Sequence, residues 1–156
     1  MADAEMIKQI LDLVPQQRPF RFIDDILEVN EDRITAVYRF REDEFFYRGH
    51  FPGRPVTPGV ILIETMAQAA VVALGIAILL HQKKPVSEVS GMKTLFTFAE
   101  TVEFTGMVAP GEKVFVYGEK IYFRRKSIKT RAEIVRENGE SVCTGLLMGT
   151  GVKLDV

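Results

Sequence analysis

A chain of 156 residues, 47% hydrophobic and 26% charged, has an ordinary globular composition and the length for one core-forming domain, read as residues 1–156. Its formal net charge of −1 gives no overall electrostatic reason to bind nucleic acid or an anionic membrane. The single cysteine, Cys143, excludes an internal disulfide, fits a reducing cytoplasmic compartment, and lies in an apolar run that reads as buried and unreactive.

The N-terminal stretch MADAEMIKQILDLV carries acids and lacks the basic and then apolar order of a signal peptide. Met6, Ile7, Ile10, Leu11 and Val14 fall at helical spacing, so residues 4–14 read as a short helix ended by Pro15. Phe20 to Val29 and Arg33 to Phe40 read as two strands, with Asn30–Asp32 turning between them. A loop rich in Pro and Gly follows, from Arg41 to Thr57.

A long apolar segment then runs from Pro58 to Leu80, with Thr57 expected to cap it and Pro58 suited to a first helical turn. It has the length to span a bilayer, but Glu64 and Gln68 lie within it, and a carboxylate at mid-membrane depth is costly. The expectation is a helix wrapped by its own protein, with no membrane span.

After Pro85 the chain reads as sheet to its end. Val89 to Phe104, Lys113 to Arg125, Ser127 to Arg136 and Ser141 to Val152 are rich in β-formers. Pro110-Gly111 breaks the first pair, and Asn138-Gly139 is a hairpin turn signal. The fold class is therefore α+β, with about six antiparallel strands curved around one long apolar helix at about 58–80, plus the short N-terminal helix. That arrangement resembles the hotdog fold.

The chemistry gathers in RGHFPGRPVTPGVILIETMAQAA. Pro52, Pro55 and Pro58 stiffen the loop that carries His50, so an imidazole is held there at low conformational cost. An imidazole changes charge near neutral pH and can act as a base. Burial in an apolar helix raises the pKa of Glu64 and favours its protonated form. The backbone N–H of Gly59, at the positive end of the helix, can polarise a carbonyl. Base, acid and oxyanion donor together suit elimination of water from a β-hydroxyacyl compound. Taken alone, each residue is more often a packing residue than a catalytic one, and the pattern leaves both readings open. No second His or Cys lies at ligand spacing from His50, so a metal site is not indicated.

The string GHFPGRPVTPGVILIETMAQ closely resembles the signature of the FabZ-type (3R)-hydroxyacyl-[acyl carrier protein] dehydratases of type II fatty acid synthesis. LVPQQRPFRFIDDILEV and FTGMVAPGEKVFVYGE extend the resemblance over roughly residues 13–152. It implies that His50 takes the α-proton, Glu64 engages the β-hydroxyl as the acid, and the Gly59 N–H faces the thioester carbonyl. It also implies that the Val56 carbonyl orients the imidazole. Gln68, one turn beyond Glu64, is placed to hydrogen-bond near that carboxylate. The implied catalytic unit is a homodimer whose subunits each lend part of a site, assembled as a hexamer, a trimer of dimers, with no cofactor. A glutamate at position 64, where the FabA type carries aspartate, argues for dehydration without isomerisation.

Two departures bear on specificity. Gln16-Gln17 stand where the family's opening string has a histidine, and Gly106-Met107 stand where it has a basic residue and a proline. The acyl carrier protein is acidic, and Lys120 to Arg131 is a basic stretch without an acid. Arg125 and Lys126 are its candidate docking residues, with strand alternation expected to put them on opposite faces. The competing readings are a hotdog thioesterase, a FabZ-like dehydratase of a specialised lipid pathway, and a non-catalytic binding module.

Overall fold

The computed structural model describes residues 1–154. Helix α1 spans Ala4–Leu13; the Asp3 side chain caps it by accepting from the Met6 N–H, and Ile10 carries its apolar face into the core. Strands β1 (Asp25–Val29), β2 (Arg33–Arg39), β3 (Lys93–Phe104), β4 (Lys113–Arg124), β5 (Ser127–Arg136) and β6 (Ser141–Val152) form one sheet. Its order is β1-β2-β4-β5-β6-β3, antiparallel throughout. The last strand to join in space is therefore β3, which sits at a free edge.

The long helix α2, Gly59–His81, lies against this sheet, and 83% of its most apolar stretch is buried. By length and composition it could cross a membrane; packed inside its own protein, it is the core helix. Two glycines let it come close. A Cβ on Gly118 would lie 2.6 Å from Cβ of Ala70, and one on Gly149 would lie 2.6 Å from Val71. Apolar residues all round α2 thus find partners on most sides. Its middle, Gln68–Ala73, is π-helical and wholly buried between the α-helical sections Gly59–Ala67 and Leu74–His81.

Cys143 is buried on β6, and burial pushes its thiol up to about 11, so it is a packing residue as expected. Asn138-Gly139 forms the β5–β6 turn, with Gly139 at a positive φ of 89°.

Four local expectations need correction. The first strand begins at Asp25 and not at Phe20, because the main chain of Phe20 and Phe22 bonds to the Gln68 side chain and pairs with no strand. Val89 is helical: Pro85 opens the short helix α3, Val86–Ser90, which turns Val89 into the core, and β3 starts only at Lys93. Thr57 does not cap α2. Pro58 holds that position, and the Thr57 hydroxyl pairs with Tyr47. Finally, β4 ends at Arg124, and Arg125-Lys126 form a two-residue turn with φ of 51° and 64°, so strand alternation does not reach them.

Candidate active site

The loop between β2 and α2 is tied down from its start. The buried Glu44 carboxylate accepts from the Tyr38 hydroxyl and from the Arg41 N–H. Burial, and then that bond, push the Tyr38 phenol well above its ordinary value. Farther along, the hydroxyls of Tyr47 and Thr57 meet at 2.6 Å, both buried, and close the loop across ten residues (57 − 47 = 10). Burial pushes the Tyr47 phenol up to about 12, so it stays a neutral hydrogen-bonding group. The Thr57 N–H also bonds the Val108 carbonyl, 2.9 Å away, fixing the loop to the chain before β4.

Inside this clasp the main chain folds back on itself. The Val56 N–H donates to the His50 carbonyl at 2.8 Å, and the Val56 carbonyl lies 2.8 Å from Nδ1 of His50. A carbonyl only accepts, so Nδ1 carries a proton. In the neutral ring Nε2 is then left with its lone pair, the form a general base needs. The role expected of the Val56 carbonyl thus has the geometry it requires.

Glu64 sits in the second turn of α2, partly buried. Desolvation raises its pKa above the ordinary carboxylate range, and a hydrogen bond from Gln68 partly offsets that rise. Gln68, one turn on and fully buried, donates to Oε1 of Glu64 at 3.0 Å. The i, i+4 spacing read from sequence therefore gives a real contact.

Gly59 is the first residue of α2, and its N–H finds no acceptor among the described residues. A Cβ there would lie 3.0 Å from the Phe104 ring, so only glycine lets β3 cover the head of the helix this closely. Within one chain, His50 pairs with Val56 and Glu64 with Gln68, and no hydrogen bond joins the two pairs. Arg125 and Lys126 lie elsewhere. Lys126 borders an apolar cavity with Gly75, Leu79, Met92 and Phe123, and Gly75 is eleven residues (75 − 64 = 11), or about 16 Å, along the helix from Glu64.

Sequence reasoning missed Tyr47 and Glu44. Both lie in EDEFFYRGH, where an acid and a tyrosine among phenylalanines hint at buried polar pairs but do not name their partners.

A six-stranded antiparallel sheet wrapped on one apolar helix, with a histidine loop feeding that helix, defines a protein of the hotdog fold. Residues 14–147 match the FabA-like domain, and the chain belongs to that family. It is 38% identical over 116 residues to the 3-hydroxyacyl-[acyl-carrier-protein] dehydratase FabZ of Lawsonia intracellularis, covering 74% of this chain and 72% of that protein. With the FabZ of Caldicellulosiruptor bescii it shares 34% identity over 143 residues, covering 91% and 95%. Among solved structures, the dehydratase heterocomplex ApeI:P from Xenorhabdus doucetiae superposes with a TM-score of 0.75 at 15% identity, over 94% of this chain and 91% of that one. A thioesterase from Haemophilus influenzae superposes with a TM-score of 0.58 at 18% identity, over 83% and 78%. At these identities the structures speak to fold alone.

Proposed function

We propose that this chain dehydrates (3R)-hydroxyacyl groups carried on acyl carrier protein to trans-2-enoyl groups, as an enzyme of lipid synthesis in the cytoplasm. The observation that carries the reading is the His50–Val56 bond, which fixes the imidazole with Nε2 free, in a chain of the FabA-like family. His50 takes the α-proton through Nε2. The Gly59 N–H holds the developing negative charge on the thioester oxygen. Glu64, whose pKa burial raises, gives its proton to the β-hydroxyl, and water leaves as the double bond forms. The elimination requires a base with a free lone pair and an acid with a proton to give, the tasks assigned to His50 Nε2 and Glu64.

His50 and Glu64 of one site come from different subunits of a homodimer. The free edge of β3 supports this: Leu95, Phe96 and Phe98 are each 40–46% exposed along it, apolar surface that a second copy would cover. The dimers assemble further as a trimer of dimers. Carrier-protein docking falls to Arg125 and Lys126, which have no ion-pair partner among the described residues and stand out on the β4–β5 turn.

The test is an assay of a (3R)-hydroxyacyl-[acyl carrier protein], following the conjugated enoyl product for the wild type, His50→Ala and Glu64→Gln. Product from the wild type alone supports the reading. Free carrier thiol without enoyl product would mark a thioesterase instead. Light scattering on the same sample reads the assembly, and a monomer with full activity would exclude the shared site.

A further inference from the structure

We propose that Gln68 is a positioning residue that decides which oxygen of Glu64 carries the acid proton. The inference rests on the acid role assigned to Glu64 above. It starts from the Gln68 amide, which is fully buried and cannot turn over. The Phe22 N–H lies 2.6 Å from one end of that amide, and a backbone N–H only donates, so this end is the oxygen. The Phe20 carbonyl lies 2.9 Å from the other end and only accepts, so that end is the nitrogen. Reversing the amide would set donor against donor and acceptor against acceptor at two buried main-chain groups.

The remaining N–H of Gln68 points at Oε1 of Glu64, 3.0 Å away. An amide N–H cannot accept, so Oε1 must accept in either charge state of the carboxyl. The carbonyl oxygen of a protonated carboxyl accepts better than its hydroxyl oxygen, so the Gln68 bond makes Oε1 the carbonyl and favours the proton on Oε2, the oxygen to which no protein group donates among the described residues. The same bond favours the carboxylate and moderates the effect of burial, so the acid gives up its proton more readily than burial alone would allow.

Little else competes for Glu64. Burial and the Gln68 amide are the influences on it within this chain. The Phe20–Phe22 segment contributes only main-chain groups, because the guanidinium of Arg21 is spent on the carbonyls of Leu11, Gln16 and Ile23. The other titratable group that would face Glu64 is the imidazole of a second subunit. Gln68 also opens the π-helical section of α2, so the wider turn begins at the residue that aims the acid.

The experiment begins with unmodified protein. The Glu64 side-chain carboxyl carbon and the Gln68 side-chain amide are followed together through an NMR pH titration. The amide resonance is expected to trace the Glu64 curve with the same midpoint. An amide that stays silent while Glu64 titrates overturns the proposal. Gln68→Met then removes the donor at similar volume. Loss of a group that favoured the carboxylate moves the Glu64 midpoint to higher pH, and the alkaline limb of kcat moves with it. With the proton free to sit on either oxygen, maximal kcat falls about tenfold while KM changes little. An unmoved midpoint would reduce Gln68 to a packing role. If that variant does not fold, the wild-type titration still decides. If the wild type dehydrates nothing, the function assigned above fails, while the titration still tests whether Gln68 addresses the proton.

Discussion

The loop from Arg41 to Pro58 and the turn at Arg125-Lys126 both carry residues assigned to function, and they are built in opposite ways. The loop is tied at every stage: Glu44 to Tyr38 and Arg41, Tyr47 to Thr57, His50 to Val56, Thr57 to Val108. Among the described residues the turn has one outside hydrogen bond, the Gly151 N–H donating to the Lys126 carbonyl, and both its residues hold a left-handed backbone without being glycine. A base must present one atom at one angle. A docking charge need only stand where a partner can reach it. The difference between the two segments follows from that difference in task, and a substitution in either one tests it.

The largest effect is expected at His50. His50→Ala removes the imidazole but leaves the prolines and the Tyr47–Thr57 clasp, so kcat should fall by about three orders of magnitude with the thermal unfolding curve little changed. Retention of near wild-type turnover would remove the base from the mechanism. Glu64→Gln should lose enoyl formation to a similar degree and should also change stability in a pH-dependent way. Burial raises the pKa of Glu64, so the folded chain binds that proton more tightly than the unfolded chain. Stability is then lost as pH climbs from the ordinary carboxylate range through the raised value. The E64Q variant carries no such charge. It should melt above the wild type in mildly alkaline buffer and level with it in acid, and a scan of Tm against pH checks both ends.

Much of this comparison was legible in the sequence, and the exceptions have physical causes. The apolar run after Pro58 specified the core helix, Glu64 and Gln68 four residues apart specified their contact, and Asn138-Gly139 specified its turn. The His50 loop could be read as rigid from its prolines, and the resemblance to FabZ-type enzymes supplied Val56. What local pattern could not give were bonds between distant polar groups. Phe20–Asp24 reads as strand because Phe20, Phe22 and Ile23 are β-formers, yet a glutamine 46 positions from Phe22 takes its backbone bond. Thr57 reads as a helix cap because nothing in its neighbourhood announces Tyr47 as a stronger partner. The π-helical stretch QAAVVA has the same composition as any buried α-helix, so local pattern does not mark it.

The clasp itself gives a smaller and more diagnostic effect. Tyr47→Phe leaves the Thr57 hydroxyl buried without its partner, which costs about 1–3 kcal/mol of stability. If the clasp positions His50, kcat should fall about tenfold with KM nearly constant. Adding Thr57→Val removes the orphaned hydroxyl, so the double variant should regain stability while the kcat defect persists. Recovery of both together would mean that the bond serves folding alone.

The smallest effect is expected at the turn, and there the signs of stability and function should separate. Two-residue hairpin turns of this shape favour Asn and Gly, because both central residues take positive φ. Arg125 and Lys126 occupy those positions at a cost that neither an ion pair nor burial offsets among the described residues. The exchange Arg125→Asn with Lys126→Gly should therefore stabilise the fold, by about 0.5–1 kcal/mol. If the two charges meet an acidic carrier protein, the same exchange should raise KM for the carrier-bound substrate several-fold. It should leave kcat unchanged, and KM for the same acyl group on a short thioester should stay where it is. Greater stability with an unchanged KM for the carrier-bound substrate would separate the turn from docking altogether. It would leave its two basic residues as strain without a use, the reverse of the loop, where every bond described bears on holding one imidazole.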